Sequence, residues 1–320
     1  MTSTPLPGPI TFPQPGTFEF DQIVNDARDG RICFGEQQNG ERLVWDLNSV
    51  PHALVGGATG SGKSVTLTTL LLLALYNVDL FELYVCDPKR TDFTWTPEFP
   101  NVTKFAAQDA EIVAAISAAR QEMDRRQSLL MRVGVRNIGQ LREKFRNRPE
   151  LEKQFGPAPR RLVIFFDELA DFFAKGADKD MEELKDEARS DLEKISRLGR
   201  AMEVNILAAA QKPAADVISN QLKSQLGFRI CVGPVDSYTS QQIFYSDHGT
   251  RFPAGSPRGR MWAWDSKNSY RMAQGYFLPD ETGSLPWDAF TTVKGTKDII
   301  RTRLQELGYE QQWVRLDSAR

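Results

Sequence analysis

The sequence predicts an α/β fold in which a mainly parallel sheet is covered by helices on both faces. Two observations carry this. Five apolar, β-rich runs are spaced by helical patterns, and most end at a polar residue or a glycine, as strands buried on both faces do. The first of them leads into Gly57-Ala58-Thr59-Gly60-Ser61-Gly62-Lys63-Ser64, the GxxxxGK[ST] loop that joins a strand to a helix around a chain of phosphates.

Taken in order, residues 1–17 hold prolines at 5, 7, 9, 13 and 15 and read as a disordered arm. His52–Val55 is the strand before the loop, and Val65–Tyr76 the helix after it. That helix is apolar nearly all round, so it is expected to be buried rather than amphipathic. Phe81–Cys86 is the second strand, ending at Asp87. A helix follows from about Ala110 to Val133, with Ile112, Ile116, Ala119, Met123 and Leu130 on one face. Arg125 points away from that stripe and Arg126 lies near its border. The third strand, Leu162–Phe166, runs into Asp167-Glu168. Asp180–Ala201 reads as a charged helix with a solvated face. Val204–Ala210 ends at Gln211, and Phe228–Val232 at Gly233. In the tail, Thr296–Leu307 has a helical pattern stopped by Gly308. The expected division is an arm over 1–17, one ATPase domain over 18–280 and a small helical appendage over 281–320.

Parallel sheets bind ligands beyond the carboxyl ends of their strands. Asp87, Asp167 and Gln211 are therefore expected beside the phosphate loop. The loop's glycines permit a tight turn that aims several N–H groups at one phosphate chain. Gly57 to Val65 is the nucleotide-binding segment. Lys63 is assigned to the β- and γ-phosphates and Ser64 to Mg²⁺. ATP with Mg²⁺ is the expected cofactor pair. A hydrophobic strand followed by Asp-Glu is the Walker B pattern: Asp167 is the second Mg²⁺ ligand, and Glu168 orients and polarises the attacking water. Gln211 is a candidate γ-phosphate sensor.

Composition limits the alternatives. The net charge of the 320 residues is -2, so no global basicity announces a nucleic acid, although a machine that encircles DNA needs only a basic lining. The three cysteines, Cys33, Cys86 and Cys231, have no CxxC spacing and read as buried thiols, with no disulfide framework or zinc site. Residues 1–16 lack an apolar signal core, and the longest apolar run falls short of the ~20 residues of a membrane span. A soluble, cytoplasmic protein is expected.

Several stretches together give the chain a specific resemblance. Asp46-Leu47 and Pro51-His52 lead into the phosphate loop, and Asp87-Pro88-Lys89 follows. Glu122-Met123-Asp124-Arg125-Arg126 precedes Gly134-Val135-Arg136-Asn137. Asp167-Glu168-Leu169-Ala170-Asp171 is followed by Gly199-Arg200-Ala201 and Ala210-Gln211-Lys212-Pro213. In order and spacing, residues 30–280 resemble the motor domain of the FtsK/SpoIIIE family of double-stranded DNA translocases. The resemblance implies a RecA-like ATPase that forms a ring, usually a hexamer, around duplex DNA, with ATP at the subunit interface. It also implies an arginine supplied by the neighbouring subunit. Arg125 and Arg126 match the segment where such a finger is expected, with Arg200 as the runner-up.

The chain departs from the family at Ala209, where threonine is usual, and at Lys212, where arginine is usual. Residues 247–264 carry Arg251, Arg258 and Arg260 in place of a glycine-rich segment. The tail is short for a winged-helix module. A plasmid, integrative element or phage is the host context this implies, with any membrane or channel partner supplied separately. Candidate DNA-phosphate contacts are Arg132, Arg136, Arg142, Lys144, Arg146, Arg148, Arg160 and Arg161, with Lys223, Arg251, Arg258 and Arg260 as a second set. The competing reading is a ring ATPase of a secretion or conjugation channel. A non-hydrolysing nucleotide switch is disfavoured by Glu168.

Overall fold

In the computed structural model, residues 8–214, 217–265, 268–278 and 289–309 are described. The strands are β1 (Ile10–Thr11), β2 (Arg31–Gln37), β3 (Arg42–Asp46), β4 (Ala53–Gly57), β5 (Phe81–Cys86), β6 (Val102–Ala106), β7 (Arg161–Phe166), β8 (Val204–Ala210), β9 (Phe228–Val232), β10 (Arg260–Asp265) and β11 (Asn268–Phe277). The helices are α1 (Phe18–Arg28), α2 (Lys63–Tyr76), α3 (Asp109–Val133), α4 (Ile138–Asn147), α5 (Pro149–Phe155), α6 (Leu169–Phe172), α7 (Lys179–Met202), α8 (Asn220–Gln225), α9 (Ser237–Phe244) and α10 (Ala289–Glu306).

One 11-stranded sheet runs β3-β2-β11-β10-β9-β4-β8-β7-β5-β6, with β1 added against β11. From β9 to β6 every pairing is parallel. The five strands expected from apolar runs are all in this block. β10, β11, β2 and β3 extend it by antiparallel pairing.

Alternate residues of the parallel strands feed opposite cores. Ala53 and Val55 join Val163, Phe165, Leu207 and Ala209 under α1, α2 and α10. Leu54 joins Leu162, Ile164, Phe166 and Ile206 under α3, α4 and α7. The apolar α2 is buried as expected, and α10 explains why. Its Ile300 and Leu304 belong to the same core as Leu70–Leu75 of α2, so the C-terminal helix is packed on the motor core. It starts at Ala289, earlier than the expected Thr296, and Gly308 beyond it has φ 78°. The amphipathic α7 buries Ala188, Leu192, Ile195 and Met202, and its charges pair across to α3 (Lys185–Asp109, Arg120–Asp191) as well as locally. It is thus a packed helix with one wet face.

The arm needs a correction. Residues 1–7 lie outside the described residues, but the rest of the arm is structured. β1 pairs in parallel with β11, Ile10 opposite Tyr276 and Thr11 opposite Phe277. Phe12 is fully buried, edge-on to Phe20 and Tyr276. A proline-rich composition hid two apolar anchors.

Three cysteines are free and buried. Burial pushes the Cys33 thiol up to about 11 and Cys231 to about 12. No helix among the described residues is long and apolar enough to cross a membrane.

Candidate nucleotide site

The parallel block sets β4, β5, β7 and β8 with their carboxyl ends on one edge, so the segments that follow them converge. The loop after β4 is held open by backbone geometry. Gly62 has φ 101°, and a Cβ there would lie 2.7 Å from the Gly259 nitrogen. That nitrogen donates to the Ser61 carbonyl at 2.8 Å, so the loop before β10 braces the phosphate loop from outside. Glycine is required at 62 on both counts.

A cavity opens at this edge, lined by Ala58, Thr59, Gly60, Gly62, Lys63, Ser64 and Val65, and by Asp167 and Gln211. Gly57 and Ser61 are not among its lining residues; a Cβ at Gly57 would lie 2.6 Å from the Val232 carbonyl oxygen and 3.0 Å from Ser61 Oγ. Seven of the nine expected nucleotide-segment residues thus line one cavity, together with the two strand-end residues.

Lys63 is buried, and its Nζ lies 3.2 Å from Glu168 Oε2. Lys89 Nζ approaches the same oxygen at 3.3 Å. The Gln211 backbone N–H donates to both Glu168 oxygens, at 2.9 and 3.1 Å. Glu168 is therefore a fully partnered buried carboxylate tying the ends of β7 and β8 to the loop lysine. Burial pushes the Asp167 carboxyl up to about 7 despite Lys63, with Asp87 and Asp92 adding to the rise. A cation bound beside it would favour the ionised carboxylate. Asp87 has one oxygen buried without a partner, and Ser61 Oγ likewise. The donor set fits the expected pair: Ser64 and Asp167 would hold Mg²⁺, which takes few protein ligands beside phosphate oxygens and water. Lys63 and the loop N–H groups would hold the phosphates of ATP.

Other residues of the site escaped the sequence reading. Lys89 belonged to a quoted motif but had no role. Asp92 accepts the Ser64 hydroxyl at 2.5 Å. Arg258, a candidate DNA contact, instead lines the nucleotide cavity, beside Tyr276 and Phe277 of β11. A chain separation of some 200 residues, as for Thr69 and Tyr276, leaves no local signal.

The three arginines separate. Arg126 is fully buried; it bonds Glu122 at 2.7 Å and the Met202 and Glu203 carbonyls at 3.0 and 3.2 Å. As a finger candidate it is corrected: a guanidinium so held is a strut between α3 and the end of α7. Arg125 is exposed and pairs with Glu122 of its own helix turn. Arg200 is exposed and donates to the Asn48 carbonyl at 2.9 Å. Asn48 precedes β4, and Glu203 precedes β8, so all three lie at the amino edge of the parallel strands, opposite the phosphate loop.

The basic candidates also divide. Arg142 forms a bidentate pair with Glu203. Arg161, Lys223 and Arg260 are buried, and Lys144 and Arg160 bond backbone carbonyls. These are structural and are withdrawn as DNA contacts. Arg132, Arg136, Arg146 and Arg148 stay exposed.

The FtsK/SpoIIIE family model matches residues 18–215. The chain belongs to the FtsK/SpoIIIE family. DNA translocase SftA of Bacillus subtilis is 35% identical over 214 residues, 66% of this chain and 21% of that protein. DNA translocase FtsK of Chlorobaculum tepidum is 29% identical over 262 residues, 73% of this chain and 30% of that protein. The chain thus spans less than a third of the length of these relatives. Among solved structures, the pCW3 conjugation coupling protein TcpA, in monomer form with ATPγS, superposes with a TM-score of 0.74 at 24% identity, covering 91% of this chain and 75% of that one. The cytoplasmic domain of the type VII secretion ATPase EccC of Thermomonospora curvata gives 0.67 at 20% identity, covering 92% of this chain and 32% of that one. The fold is accordingly that of the family's P-loop ATPases, as the motif order of this FtsK/SpoIIIE member implies.

Proposed function

We propose that the chain is an ATP-dependent double-stranded DNA translocase that works as an oligomeric ring, a hexamer on family resemblance, in transfer or partition of plasmid, integrative-element or phage DNA. The observation that carries this is a half-built site. One chain supplies Lys63, Ser64, Asp167 and Glu168 at the carboxyl edge of the sheet, while the exposed Arg125 and Arg200 stand at the opposite edge. A neighbouring copy would bring such an arginine to the γ-phosphate, compensating charge as the phosphoryl group leaves and coupling hydrolysis to assembly. Arg125 is the preferred finger, and Arg200 the second.

Bound ATP with Mg²⁺ supplies the phosphoryl group and the charge that neutralises its oxygens. On binding, Lys63 turns from Glu168 to the phosphates. Glu168, still held by the Gln211 N–H and Lys89, orients a water and accepts its proton. Gln211 faces the same cavity and passes the change into the loop after β8, where Lys223 Nζ bonds the Pro213 carbonyl at 3.1 Å. Duplex DNA would be gripped through its phosphates by exposed arginines, which suits movement over any sequence.

The second reading, a secretion or conjugation channel ATPase that moves or recruits protein, is supported by the likeness in fold to EccC and TcpA. Steady-state ATP hydrolysis with and without linear duplex DNA, across salt, separates the two. Under the first, DNA raises the rate, the apparent affinity falls steeply with salt, and Lys63→Ala abolishes turnover. A rate unmoved by DNA at low salt overturns it in favour of the second.

A further inference from the structure

Asp92 follows β5 in a turn built to hold it still. Asp87, fully buried, accepts the Thr91 and Phe93 N–H groups on one carboxylate oxygen, both at 3.1 Å. Arg90 takes a left-handed φ of 55° to close the turn, a conformation uncommon outside glycine. Phe93 is buried against Phe165, ring centroids 4.7 Å apart, and the Trp95 indole N–H donates to the Asp92 carbonyl at 2.8 Å. Both neighbours and the backbone of Asp92 are thereby fixed. Its side chain points into the nucleotide cavity and accepts the Ser64 hydroxyl at 2.5 Å.

We infer that Asp92 is a positioning residue for the metal ligand Ser64. A serine hydroxyl has one proton and two lone pairs. To ligate a cation it must offer a lone pair to the metal and send its proton elsewhere. A carboxylate is the strongest acceptor for that proton, and here Asp92 fills the place. With Oγ–H committed to Asp92, the Ser64 lone pairs face the cavity before metal arrives. Outer partners of this kind govern metal affinity through the ligand they orient. This rests on the reading of the cavity as an ATP·Mg²⁺ site.

The test is binding of fluorescent ATPγS to the full chain, in excess Mg²⁺ and in EDTA, for the wild type, D92A, D92N, S64A and S64A/D92A, with melting temperatures as a control for folding. The ratio of the two affinities measures what the metal contributes. Asp92→Ala is expected to lower that ratio about 10- to 100-fold while the affinity in EDTA is retained. Asp92→Asn, with a neutral acceptor of the same shape, is expected to fall between, and it carries the test if the alanine variant does not fold. Because Asp92 acts through Ser64, D92A adds no further loss in the S64A background. An unchanged ratio in both variants, equal losses with and without Mg²⁺, or additive losses in the double variant overturn the assignment alone. A wild-type protein that binds the nucleotide no better with Mg²⁺ than with EDTA overturns the reading of the site as well.

Discussion

Glu168 grips the backbone N–H of Gln211 with both carboxylate oxygens, at 2.9 and 3.1 Å, and so joins the ends of β7 and β8 behind the phosphate loop. A glutamine at 168 keeps the shape but cannot take a proton from water. Glu168→Gln is expected to retain nucleotide binding and to lower the hydrolysis rate by about 10²- to 10⁴-fold. Equilibrium binding and single-turnover hydrolysis check it; a rate close to wild type would remove Glu168 from the role of base.

Arg125 and Arg126 are adjacent, yet their substitutions should fail in different ways. Arg126→Ala strips partners from the Glu122 carboxylate and two carbonyls and is expected to cost about 3–5 kcal/mol. Arg125→Ala removes an exposed ion pair, worth about 0–1 kcal/mol, and its melting temperature should stay near that of the wild type. Mixing tests its proposed role: Arg125→Ala and Glu168→Ala subunits, each inactive alone, recover hydrolysis together if one subunit's arginine serves another's site. Arg125→Ala with full activity on its own rejects the finger, and Arg200→Ala is then the variant to mix.

How far the site was legible follows from what each residue does locally. Lys63, Ser64, Asp167 and Glu168 sit at fixed offsets from apolar strands, so pattern and chemistry agree in one short window. The antiparallel strands offered no such window. β10 buries Arg260 and β11 buries Gln274, polar residues that break an apolar run although they face inward. Arg126 occupies a slot on the stripe of Ala119 and Met123, where counting apolar residues sees only a charge. Asp92 and Tyr276 reach the cavity through a turn and through a distant strand, and neither contact is periodic.

His52, at the start of β4, is fully buried and accepts the Ile206 N–H on Nδ1 at 3.0 Å. Burial lowers its pKa from 6.5 to about 4. Between these values the unfolded chain binds a proton that the native protein refuses, so this contribution to stability is present above about pH 6.5 and is lost as pH falls toward 4. The loss from pH 7 to 5 is about 2 kcal/mol. His52→Asn can still accept the Ile206 N–H without titrating there. Urea midpoints at the two pH values should therefore draw closer together in the variant, and an unchanged gap would assign the pH dependence to other groups.

The N-terminal strand reaches the nucleotide through the wall it supports. Ile10 and Thr11 pair with Tyr276 and Phe277, which line the cavity, and Phe12 packs edge-on to Tyr276 at 5.6 Å between ring centroids. Phe12→Ala opens a hole between Phe20 and Tyr276, at a cost of about 3–5 kcal/mol. If the strand only adds stability, nucleotide affinity measured well below the melting temperature will equal that of the wild type. If it holds the wall, affinity falls at that temperature too, and in EDTA as much as in Mg²⁺, because β11 carries neither of the residues proposed to hold the metal, Ser64 and Asp167. The second outcome is expected, since β1 pairs with the same two residues that line the cavity. Phe12→Leu, which refills much of the hole, should restore most of both quantities.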